Sequence, residues 1–140
     1  MRAYFFTSAS GWIAAILMAM ETLLPYLLRR SPLSERLGIA EGFATPYLRR
    51  MRPHYWAGYA LVALSVAHAW VPMQAGYARR ANAAGLWIAT LALLALLLQA
   101  MLGLLLQDPK LELRALLRRW HFWLMVMISA GVALHIWLNG

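Results

Sequence analysis

The sequence predicts an all-α integral membrane protein, a four-helix bundle built from two repeated helix hairpins with both termini outside. Three observations carry this. The 140 residues are 63% apolar and 13% charged, more apolar surface than a soluble domain of this size can bury. The apolar residues fall into four long runs that leave no room for a separate soluble domain, so residues 1–140 read as one transmembrane domain. The four histidines form two matched pairs, His54 with His68 and His121 with His135, on the second and fourth runs.

Helix 1 is expected from about Tyr4 to Leu28, ending at Arg29-Arg30. Its start has some likeness to a secretory signal, but the apolar run is too long and no small-x-small cleavage site follows, so it is read as retained. Ser31-Pro32 offers an N-cap and then a proline, the start of a short interfacial segment. The connection onward carries Arg29, Arg30, Arg36, Arg49, Arg50 and Arg52 against Glu35 and Glu41. Helix 2 is expected over about Met51–Gln74, and a turn with Arg79 and Arg80 leads to helix 3, about Ala84–Leu106. Asp108-Pro109 repeats the cap-then-proline signal, which predicts helix 4 from Pro109 to Asn139, with an amphipathic surface turn through Arg114, Arg118 and Arg119. Ten of the thirteen basic residues lie in the first and third connections. The positive-inside rule puts those connections in the cytoplasm.

The absence of cysteine excludes disulfides, thiolate metal sites and iron–sulfur clusters. A net charge of +8 would suggest nucleic acid in a soluble protein. Here the arginines sit between apolar runs, where they set orientation, so no nucleic-acid partner is expected.

The chain repeats itself. Helix 2 reads H-Y-W, eleven residues, H-A-W, and helix 4 reads H-F-W, eleven residues, H-I-W. Fourteen residues at about 100° each come within about 40° of whole turns, so both imidazoles of a helix leave one face, roughly 21 Å apart along the axis. Two hairpins of one topology are related by a pseudo-two-fold axis along the membrane normal. That axis sets His54 opposite His121 near the cytoplasmic face and His68 opposite His135 near the outer one.

Two imidazoles facing across a bundle axis can bind a flat metallocofactor from both faces, and haem with two axial histidines suits such a site. Packing or interfacial roles are the ordinary explanation for a single membrane histidine. Four histidines in two matched pairs, with no fifth, favour a cofactor. A single four-histidine metal cluster is excluded by the separation of about 21 Å between levels.

Two such helices separated by one helix resemble the haem-binding core of the membrane cytochromes b, as in the bc-type complexes, with ferric-reductase-like transmembrane domains related in pattern. The resemblance implies two haem b groups, with His54 and His121 ligating the cytoplasmic-side iron and His68 and His135 the outer one. It implies a place in the bacterial inner membrane, within a respiratory chain, beside other subunits of a redox complex. The chain departs from full cytochrome b in lacking the further helices and the P-E-W-Y-type quinol loop. It also lacks the flavin and nicotinamide domain of large ferric reductases.

Other residues are weighed against this expectation. Arg50, Arg52, Arg118 and Arg119 fall within a turn of the inner histidines, where they either neutralise haem propionates or only set topology. Arg79 and Arg80 lie almost three turns beyond His68 and are weaker candidates for the outer haem. Gly58, Gly131 and Ser65 are small residues that would let a porphyrin approach the backbone, or serve ordinary helix packing. Trp56, Trp70, Trp123 and Trp137 suit the interfacial belts, and Met125 and Met127 core packing. Glu21 and Gln99 sit at similar depths inside apolar runs. Glu21 is either a hydrogen-bonded structural acid, the favoured reading, or a proton carrier beside a quinone pocket.

Two axial histidines leave iron no open position, which favours one-electron transfer over substrate chemistry. The expected function is therefore transmembrane electron transfer, as the cytochrome b subunit of a larger redox complex, between a quinone or protein donor and an acceptor. The alternatives are a self-sufficient small quinol or metal reductase and a structural or assembly subunit that binds no haem.

Overall fold

The computed structural model describes residues 2–30, 51–74, 76 and 81–139, and within the first helix only the side chains of residues 8–23. The described chain is all-helical. Four helices follow one another: α1 (Arg2–Arg30), α2 (Arg52–Gln74), α3 (Ala83–Leu105) and α4 (Arg114–Asn139). Of these, α2, α3 and α4 are long and apolar enough to cross a membrane, and the described apolar stretch of α1 is Ser8–Leu23. The predicted interfacial segment after Ser31-Pro32 lies outside the described residues.

Local chemistry sets the helix ends. Asn82 caps α3, its side-chain oxygen accepting from the backbone N–H of Ala84 at 2.9 Å and of Gly85 at 3.3 Å. Just past α2, Gly76 adopts a φ of +73°, a left-handed conformation that suits a residue without a Cβ. The start of helix 4 differs from the expectation. Asp108 and Pro109 do not open it; the Asp108 side chain accepts from Lys110 N–H two residues on, at 2.9 Å, closing a tight turn. Arg114 then donates Nη1–H to the Asp108 carbonyl, and α4 begins at Arg114. The hydroxyls of Thr22, Thr90 and Ser129 each donate to the carbonyl four residues back, so they add no unpaired polar group to the apolar helices.

α1 packs mainly on α2, and α3 mainly on α4. Lighter contacts join α2 to α3 and α1 to α4, so the helices circle the bundle in chain order and α2 faces α4 across a diagonal. One apolar layer ties all four together: Met18, Leu61, Leu96 and Ile128, one from each helix. Leu61 is midway between His54 and His68, and Ile128 midway between His121 and His135. The layer therefore divides the bundle interior into two compartments, each holding two histidines.

Candidate functional site

The sites are built from the faces of α2 and α4 that the fourteen-residue spacing lines up. His54 and His121 meet across the diagonal with ring centroids 6.2 Å apart and planes at 80°. His68 and His135 meet the same way, at 6.4 Å and 80°. A metal–imidazole bond is about 2.0–2.1 Å, and a ring nitrogen lies about 1.1 Å from its ring centroid, so two trans imidazoles on one ion place their centroids roughly 6.2–6.4 Å apart. Ordinary edge-to-face ring contact covers the same distances. Recurrence of one separation and one angle at both depths is what a pair of equivalent ligand sites requires. Among the described residues no group of three or more histidine or acidic side chains could hold a metal ion.

Each histidine is also met by the helix that precedes it. His68 Nδ1 lies 3.3 Å from Ser10 Oγ, and His135 Nδ1 3.0 Å from the Gly85 carbonyl oxygen and 3.4 Å from Asn139 Nδ2. Asn139 is held in turn, since its Oδ1 accepts from Asn82 N–H at 2.7 Å. His54 Nδ1 lies 2.5 Å from Glu21 Oε2, without the alignment of a hydrogen bond. His121 sits over Gln99, whose backbone carbonyl faces it, although its Nδ1 makes no aligned hydrogen bond. Engaging Nδ1 orients an imidazole and leaves Nε2 as the nitrogen for a metal.

Space beside the rings suits a large flat ligand. A cavity of about 490 Å³ opens at the inner level, bounded by His54, His121, Gly58, Gly103, Arg114 and Arg118 among others. Cofactor pockets run to roughly 300–1,000 Å³ and are mostly apolar with a few placed polar groups. A Cβ added at Gly58 would meet nothing within 4 Å, so its open side belongs to this cavity.

The arginine expectations divide by helix face. Arg118 borders the cavity, whereas Arg52 and Arg119 are exposed and do not border it. Arg52 and Arg119 each stand two residues from a histidine, about 200° around the helix, so nearness within a turn did not mean a shared face. Arg114, not singled out from sequence, borders the cavity because Arg114, Arg118 and His121 follow the helical stripe i, i+4, i+7. Arg50, Arg79 and Arg80 lie outside the described residues.

A Cβ added at Gly131 would lie 3.4 Å from Ala92 Cβ and 4.0 Å from Ile88 Cγ2, so this glycine lies at the α3–α4 contact. Two glycines abut ligand candidates: a Cβ at Gly11 on α1 would come 2.7 Å from His68 Cε1, and one at Gly103 on α3 would come 3.6 Å from His121 Cε1. Ser10, Gly11 and Gly85 were missed because the first and third helices carry no histidine to mark which of their faces points inward. Small or polar residues set at antiparallel register to each histidine were the available signal. Trp56, Trp70, Trp123 and Trp137 are all more than half exposed, as belt residues are. Met125 packs on the central layer, while Met127 is exposed.

Compared with protein-family models, curated proteins and solved structures, this chain matches none of them.

Proposed function

We propose that this chain is a dihaem b-type cytochrome subunit that carries single electrons across a membrane. The observation that carries the reading is the pair of histidine couples, at 6.2 and 6.4 Å with planes at 80° in both, separated by an apolar layer. In this reading the two hairpins are repeats of one unit, and the chain lies in a bacterial inner membrane with both termini outside. Partner subunits or a quinone supply and take the electrons.

A bis-histidine haem, when bound, supplies a one-electron iron couple with no open coordination position. The rest falls to the chain. His54 and His121 hold the inner group, and His68 and His135 the outer one. Arg114 and Arg118 border the inner cavity, where guanidinium groups neutralise carboxylates such as propionates. Met18, Leu61, Leu96 and Ile128 exclude water between the two levels and hold them about 21 Å apart along the helices. Ser10, Glu21, Gln99 and Gly85 steady the four imidazoles from α1 and α3.

The test is the haem content and spectrum of the purified chain. Two b-type haems per chain, low-spin in both oxidation states, are expected in a reduced-minus-oxidised spectrum. A chain that folds and carries no stoichiometric haem returns the reading to a structural or assembly subunit.

A further inference from the structure

The four imidazoles do not have equivalent partners. Among the described residues, His68 meets a hydroxyl, His121 and His135 face backbone carbonyls, and His54 meets a carboxyl group. That carboxyl belongs to Glu21, which is only 4% exposed and whose second oxygen, Oε1, has no hydrogen-bond partner among the described residues. In the other hairpin, Gln99 takes the corresponding place beside His121; it is also buried, and its side chain is neutral. The chain thus sets an acid against one inner ligand and an amide-bearing residue against the other.

Resting on the haem reading above, we propose that Glu21 is a positioning residue that holds the potential of the inner haem down, acting through His54. When Nε2 of an imidazole binds a metal, Nδ1 carries the ring proton. A carboxylate in contact with that nitrogen draws the proton toward itself and makes the ring a stronger donor to iron. A stronger donor and an adjacent negative charge both favour the ferric over the ferrous state. Burial keeps water from screening the carboxylate. Arg114 and Arg118 border the same cavity and act in the opposite sense, but they are unchanged by a substitution at Glu21. At the outer level the contacts described above are a hydroxyl, a backbone carbonyl and a side-chain amide, so Glu21 is the residue of α1 that sets the two centres apart in potential.

The experiment is a redox titration of the full haem-loaded chain in detergent, comparing wild type with Glu21→Gln and Ser10→Asp. The His54→Ala and His68→Ala chains identify which wave belongs to which level. Glu21→Gln keeps the side-chain shape and removes the charge. It is expected to shift the inner oxidised-to-reduced ratio at fixed potential about tenfold toward reduced, about 59 mV upward for a one-electron couple, and to leave the outer wave in place. Ser10→Asp installs an acid beside His68 and is expected to move the outer wave downward. An unmoved inner wave in Glu21→Gln overturns the proposal. Should Glu21→Gln lose the inner haem altogether, the Ser10→Asp titration decides: a fallen outer potential supports the proposal, and an unchanged one overturns it. A wild-type chain without haem would instead sink the function reading itself, so the two failures are distinguishable.

Discussion

Replacing Gly11 with alanine tests the seat of His68 directly. A Cβ at this position would lie 2.7 Å from His68 Cε1, 3.1 Å from Nδ1 and 3.4 Å from Nε2. Carbon atoms in ordinary contact are about 3.5–4.0 Å apart, so the ring or α1 must yield by roughly 1 Å. A metal–nitrogen bond tolerates only about 0.2 Å, and overpacking of this kind costs about 1–3 kcal/mol if the helix moves instead. Either response disturbs the outer level, because Ser10 beside it is the His68 Nδ1 partner. Disturbing the support of a metal ligand typically lowers affinity about 10–100-fold. Gly11→Ala is therefore expected to purify with its inner haem intact and its outer haem reduced in occupancy or high-spin, measured as haem per chain together with the absorption spectrum. Two full, low-spin haems in Gly11→Ala would refute the seating of α1 against the His68 ring.

Three more outcomes follow from the same geometry. His54→Ala and His68→Ala should each lose one haem and retain the other, since the central layer separates the levels; haem-per-chain values that stay at two in both would refute the pairing. Gly58→Phe fills the cavity beside His54 and should deplete the inner haem without unfolding the chain, read from haem content beside helical circular dichroism. Ile128→Ala opens a hole in the only layer contributed by all four helices among the described residues, and should cost about 2 kcal/mol or more in detergent-denaturant unfolding. A stability within about 0.5 kcal/mol of wild type would show that the layer does not tie the bundle together.

The class of fold was legible because membrane helices announce themselves by length and composition, and three of the expected spans appear as helices of that kind. The histidine pairing was legible for a simpler reason: a fourteen-residue spacing nearly closes whole helical turns, and two copies of it demand a facing arrangement. Asp108-Pro109 misled because an aspartate that can cap a helix can equally close a turn on its own backbone, and the hydrogen bond to Lys110 N–H shows which it does. Arg52 and Arg119 do not border the inner cavity, because each stands about 200° around its helix from the neighbouring histidine. The partner of each histidine was hidden, since register between antiparallel helices depends on the turn joining them. Once α1 lies against α2, Ser10 and Glu21 fall opposite His68 and His54.

The way the bundle is filled bears on what it is for. Inside a bilayer, helices gain little from hiding apolar surface from lipid, so association depends on close packing and on polar contacts between helices. Among the described residues the fully packed apolar contacts shared by the four helices are confined to Met18, Leu61, Leu96 and Ile128. Above and below that layer α2 and α4 approach through their imidazoles, and at the inner level an open cavity lies beside them. A bundle that needed only to be a bundle would place leucines there, as α3 does on its lipid face with Leu91, Leu94 and Leu98. It instead places histidines, glycines and a buried acid, each a poor choice for packing and, on the function proposed above, suited to a planar metal-bearing group. On that reading, the stability given up at these two depths would return on binding such a group and would couple assembly of the bundle to its loading.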